Sequence, residues 1–155
     1  MKKVGMLALI GFIAGLVMIA VMKVIQWVTG SPAYVLLFNF DYIPVVNTWE
    51  PVWLVGFMFH NITCIASVVV LYYMLRPFGM ENQIAPYIAV YSIGGGLLFS
   101  LTALSEQPPD FSDGEAWIWW TLGHAVFGWA VGGLIKRWIS SSGLRRKEFV
   151  SINRA

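Results

Sequence analysis

Four stretches of the chain, about 4–27, 52–75, 85–104 and 116–135, are apolar for long enough to cross a bilayer core, which needs roughly 20 such residues in a helix. Backbone in hydrocarbon must satisfy every N–H and C=O internally, so each run is committed to α-helix by its surroundings. The expected fold class is therefore all-α: a polytopic membrane protein built as a four-transmembrane-helix bundle over residues 1–139, with a basic tail at 140–155. Composition agrees. Charged residues are 12% of the 155, half of the ~25% usual in a soluble domain. The first run follows Met-Lys-Lys and resembles a signal peptide, but its apolar part is too long and no small-x-small cleavage site follows it. It reads as a retained span.

Charge orients the bundle. Alternate threading of the four spans gathers Lys2, Lys3, Arg76, Lys136, Arg137, Arg145, Arg146, Lys147 and Arg154 on one side and leaves only Lys23 on the other. Asp41, Glu50, Glu106, Asp110, Asp113 and Glu115 all fall on the side opposite the basic cluster. The positive-inside rule then makes both termini cytoplasmic. Lys23, near the outer end of span one, most simply snorkels to the interface. Its sharper reading is a site for an anionic headgroup or substrate.

The connections differ in character. The turn RPFGMENQ carries Pro77 and Gly79 and predicts an antiparallel hairpin of spans two and three. Ser112–Glu115 has the Ser-x-x-Glu form of a helix start. The external connection 28–51 contains PAYVLLFNFDYIPVV, too apolar for a solvated loop. It is expected either in the membrane interface, where Tyr and Trp are favoured, or as a partly re-entrant lid supported by protein or water. The basic tail is expected to meet lipid headgroups rather than nucleic acid. Gly11 and Gly15 in span one and Gly128 and Gly132 in span four have the spacing of close helix packing, within the bundle or between protomers.

Both histidines lie inside spans. His60 follows the start of span two by eight residues and His124 follows the start of span four by eight. These two spans run the same way, so at ~1.5 Å per residue both rings lie about 12 Å below the outer helix ends. Span three passes that depth near Gly94, Gly95 and Gly96, which are expected as helix-packing residues and whose missing side chains leave room. Thr63, Cys64 and Ser67 continue the His60 face at i+3, i+4 and i+7, giving a polar intramembrane layer of His60, Thr63, Cys64, Ser67 and His124. An ionisable residue at this depth marks a candidate functional site. The readings are neutral rings that specify packing, a protonation switch in a water-filled path, or axial ligands of a b-type haem. A zinc site of His60, His124 and Cys64 is a weaker fit, because Cys64 lies one turn deeper.

Absences narrow the rest. No Asp or Glu lies within the four runs, so the membrane carboxylate of a proton-coupled exporter is missing. No Gly-x-Ser-x-Gly elbow and no phosphate-binding Gly-Lys-Ser/Thr loop occurs. One cysteine excludes an intramolecular disulfide. The motifs FHNITCIAS, RPFGMENQIAPYIAVYSIGGG and LGHAVFGW followed by KRW resemble the YagU family of small bacterial inner-membrane proteins, with the YqhR-type proteins as a related architecture. The resemblance covers about 53–138 and departs at the external connection and in lacking a further histidine in span three. It implies a four-span protein of the bacterial cytoplasmic membrane and carries no biochemistry. The expected function is non-enzymatic: a homo-oligomer, or an accessory subunit of a larger membrane complex, in contact with the lipid bilayer. A bis-histidine haem electron carrier and a histidine-lined pore or transporter are the alternatives.

Overall fold

The computed structural model describes residues 2–41, 43, 45, 48–49 and 52–140; the basic tail from 141 onward lies outside the described residues. Four long helices make the bundle: α1 (Lys2–Thr29), α2 (Val52–Leu75), α3 (Ala85–Leu98) and α4 (Gly114–Ile135). Two extend in tighter or wider form, α3 through a 3-10 segment at Phe99–Leu104 and α4 through a π turn at Lys136–Ser140. All four are long and apolar enough to cross a membrane, and most of their surface is not buried within the bundle. The protein is a multi-pass membrane bundle.

Local chemistry sets the helix ends. Gly30 closes α1 in a left-handed conformation (φ 75°) and its N–H donates to the Gln26 carbonyl at 2.9 Å. Ser31 then caps a 3-10 segment at Pro32–Leu37, accepting from the Ala33 N–H, and Pro32 occupies its first turn, where no backbone donor is needed. Gly79 (φ 67°) ends the turn after α2. At the start of α4 the cap is Asp113, whose Oδ1 accepts from the Ala116 N–H at 2.9 Å. Ser112, the expected cap, instead donates its hydroxyl and N–H to Asp110, which holds that carboxyl below the usual aspartate range. The helix-start motif is real but shifted by one residue.

Packing is uneven. α1 lies against α2 and α4, and α3 against α4, whereas α2 and α3 scarcely approach each other despite their short connection. The expected hairpin is a pair of splayed helices. Glycines make the close seams. A methyl at Gly11 would lie 2.8 Å from the Ile65 Cα on α2, and one at Gly15 would lie 3.3 Å from the Cys64 Cβ. On α4, a methyl at Gly128 would lie 2.6 Å from the Tyr87 carbonyl oxygen and one at Gly132 would lie 2.9 Å from the Ile84 Cα, both on the α3 side. These four glycines pack within the bundle. Gly96 rests near the Thr121 hydroxyl of α4, but Gly94 meets nothing within 4 Å and is no packing residue.

The two ends of the bundle are filled differently. Near the starts of α1 and α3 and the ends of α2 and α4, the interior is closed by Leu7, Ile10, Val68, Tyr72, Tyr87, Val131 and Ile135, all essentially inaccessible. Toward the other end the core opens beneath the segment 31–41. That segment is a roof over the interior, as the lid reading of the connection expects. Ala33, Leu37 and Phe40 are buried in it, and Phe38 sits directly on Gly56 of α2, where any side chain would collide. Lys23 helps to hold it: its ammonium lies 4.7 Å from the centre of the Tyr34 ring and donates to Gln26 Oε1 at 2.8 Å. Burial also pushes the Tyr34 hydroxyl above the usual phenol range.

Candidate functional site

The gap between α2 and α3 forms a cavity of about 290 Å³, at the foot of the roughly 300–1,000 Å³ range of small-molecule sites. α2 supplies one wall with Phe59, His60, Thr63, Cys64 and Ser67, and α3 the other with Val90, Tyr91, Gly94, Gly95 and Leu98. Met18 of α1 and Trp120, His124 and Phe127 of α4 close the back. Leu36, Leu37 and Asn39 roof it together with Leu101, Thr102 and Ser105.

Helical periodicity explains its sideways mouth. Phe59, Thr63 and Ser67 recur at i, i+4 and i+8, as do Val90, Gly94 and Leu98, and both rows are exposed or partly exposed. One residue further round, His60, Cys64, Tyr91 and Gly95 are buried. The outer rows are lips and the inner rows are walls. In a four-span bundle such a mouth faces the bilayer.

Every member of the polar layer read from sequence, His60, Thr63, Cys64, Ser67 and His124, lines this one cavity. The two rings share it without bonding to each other. His60 Nε2 lies 3.4 Å from the Gly15 carbonyl oxygen and 3.6 Å from Cys64 Sγ. His124 Nδ1 lies 2.9 Å from the Trp120 carbonyl oxygen one turn back. A carbonyl only accepts, so each of these nitrogens carries the ring proton and the other nitrogen keeps its lone pair. Gly95 makes the His124 placement possible: a Cβ there would overlap the imidazole. The same residue's carbonyl receives the Trp120 indole N–H at 2.8 Å, and the Trp120 and His124 rings lie 4.5 Å apart.

Sequence reasoning missed several contributors. Tyr91 donates to Ser67 Oγ at 3.3 Å, the one side-chain hydrogen bond between α2 and α3 among the described residues. Its position within span three carried no sequence signal that it would reach across to α2. Asn61 is buried, donating to the Phe57 carbonyl at 2.8 Å with its amide oxygen beside Gly15, on the α1 side rather than in the cavity. The roof is latched by long-range bonds. Asn39 donates to Ser105 Oγ at 2.7 Å, and Ser105 to Asp41 Oδ2 at 2.9 Å; that oxygen also accepts the Glu106 N–H at 3.1 Å.

A bis-histidine haem would have to use His60 Nδ1 and His124 Nε2, the ring nitrogens left over from these bonds, and among the described residues neither Lys nor Arg lines the cavity to pair with its propionates. Among the described residues no three His, Cys, Asp or Glu side chains converge as a metal site. For a pore, the polar lining would have to run from end to end, whereas the cavity stops at Ser67, Tyr91 and Phe127, above the packed layer of Tyr72, Tyr87 and Val131. It is a dead end with a side door.

Comparison with known proteins finds no match: no family model, curated protein or solved structure aligns with the chain.

Proposed function

We propose that this chain is a small non-enzymatic protein of the bacterial cytoplasmic membrane, with both termini cytoplasmic, that binds a small apolar molecule in its lateral cleft. In this role it serves as a ligand-holding subunit, associated with copies of itself or with a larger membrane partner. The observation that supports binding over catalysis is the chemistry of the lining. It is mostly apolar, as in small-molecule sites generally, with a few converging polar groups. Both histidine protons are directed at backbone carbonyls rather than at a carboxylate that would make the ring a general base. Among the described residues no Asp, Glu, Lys or Arg lines the space. The likeness to the YagU family carries no activity over to this chain.

The cleft is tested by native mass spectrometry of the protein released from lipid nanodiscs. Wild type should retain one small molecule that the Gly94→Leu variant lacks, since a side chain at Gly94 enters open space without touching backbone. Equal loading of the two proteins would overturn a binding role. Sidedness is tested separately. A C-terminal reporter should be active only in a cytoplasmic format, and an externally active fusion would refute the orientation.

A further inference from the structure

The polar groups of the cleft are lopsided. His60, His124, Trp120, Tyr91, Ser67 and Thr102 each bring one polar hydrogen to it, and each spends that hydrogen on the protein. The two imidazole N–H groups go to the Gly15 and Trp120 carbonyls, and the indole N–H goes to the Gly95 carbonyl. The Tyr91 hydroxyl goes to Ser67, and the hydroxyls of Ser67 and Thr102 go to the Cys64 and Phe99 carbonyls. What remains is chiefly lone pairs, one nitrogen on each histidine and the hydroxyl oxygens, with the Thr63 hydroxyl at the lip and the Cys64 thiol as the donors not spent on a carbonyl. Around His124, in the depth of the cleft, the donors are used up and the acceptor is not.

This asymmetry selects a ligand. A buried acceptor left without a donor costs about as much as a lost hydrogen bond, so an occupant that brings hydroxyl protons is favoured over one that brings only acceptors. Charge narrows the choice further. Among the described residues neither cation nor carboxylate lines the cleft, so an ionised headgroup would be buried unpaired and a neutral head is favoured. The mouth between the Phe59-Thr63-Ser67 and Val90-Gly94-Leu98 rows opens sideways, and an occupant entering there arrives from the lipid with an apolar body.

We infer that the cleft takes a neutral, hydroxyl-headed lipid, its hydroxyl donating to the free ring nitrogen of His124 and its apolar part lying between α2 and α3. This rests on the binding role proposed above and names the class of ligand. Phenolic and alcoholic heads share the chemistry, and the test separates them.

The experiment uses the full chain in nanodiscs with four probes of matched alkyl length: a hydroquinone kept reduced under anaerobic conditions, its dimethyl ether, a monoacylglycerol and a fatty-acid anion. Affinities are read by titration calorimetry on wild type, His124→Phe and Gly94→Leu. Phenylalanine keeps a flat ring against Gly95 while removing the lone pair, so the variant is expected to fold; its thermal transition is checked alongside. The expected result is that hydroquinone, monoacylglycerol or both bind wild type at least about tenfold more tightly than the ether or the anion. Which of them does so identifies the head as phenolic or alcoholic. In His124→Phe the preference should collapse to within about threefold, and Gly94→Leu should bind none of the probes. Failure of both hydroxyl-bearing probes to bind wild type more tightly than the ether would overturn the inference while leaving the binding role intact. A preference that survives in His124→Phe would overturn the assigned acceptor. Absence of binding by all four probes, together with equal behaviour of wild type and Gly94→Leu, would remove the binding role itself.

Discussion

Toward α4, helix α3 meets its neighbour backbone to backbone, with Tyr87, Ile88 and Ile84 lying where Gly128 and Gly132 lack side chains. Toward α2, α3 turns Gly94 to open space, and only Tyr91 reaches across, to Ser67. Residues adjacent in sequence thus serve opposite ends: Gly95 receives the His124 ring and Gly94 leaves a gap. Lipid tails are as apolar as the side chains, so no hydrophobic force draws two helices together inside a membrane. Contact forms where small residues recur on a partner's facing row, as on α4. On α2 that row is Phe59, Thr63 and Ser67, with Phe59 the one bulky member, and α3 does not close on it. A small residue in a span permits approach, and the partner decides whether it becomes a seam or a cavity.

The sharpest way to break this contrast is Gly128→Val. Its Cβ would lie 2.6 Å from the Tyr87 carbonyl oxygen and 2.8 Å from the Ile88 Cα, and backbone cannot swing aside as a side chain can. Overpacking typically costs about 1–3 kcal/mol, and this site should reach or exceed the upper end. Thermal unfolding in detergent reads it, and a variant as stable as wild type would show that the α3–α4 seam is not close-packed.

Gly95→Ala should cost less, about 1–3 kcal/mol, because the obstacle is the His124 ring rather than backbone. Adding His124→Ala should recover most of that loss, and the recovery is the coupling energy of the pair. Additive losses would mean that the ring does not lie on Gly95. By contrast, His60 and His124 bond to separate carbonyls, so their alanine variants should be nearly additive in stability.

Gly94→Leu should change stability least, within about 0.5 kcal/mol of wild type, while obstructing the cleft. A strong destabilisation would place α2 against α3 at this depth and close the gap.

Much of this site could be read in advance from helical spacing. The row His60, Thr63, Cys64 and Ser67 repeats at i+3, i+4 and i+7, and the depth of His124 follows from counting residues along parallel spans. The glycine run of α3 marked where room would be found. Two kinds of information were not legible. Which of Gly94, Gly95 and Gly96 faces a helix depends on the rotation of α3 about its axis, and three equal residues carry no signal of rotation. The roof is held by Asn39, Asp41 and Ser105, more than sixty positions apart in sequence, and such pairings leave no local pattern. The connection 28–51 could be recognised as too apolar for a loop, but the residues that fasten it could not.

The roof has a mechanical consequence for the helices beneath it. At one end α2 and α3 are joined by the short turn through Arg76–Phe78; at the other, Phe38 presses on Gly56 of α2 while Asn39, the next residue, grips Ser105 beyond α3. The slit between the helices is therefore stitched at top and bottom, like a buttonhole. Held at both ends, it opens most easily in the middle, so a molecule entering as proposed would be selected by its girth rather than its length. A slender chain would slip through sideways, and a wide rigid ring system would be turned away before any hydrogen bond is tried.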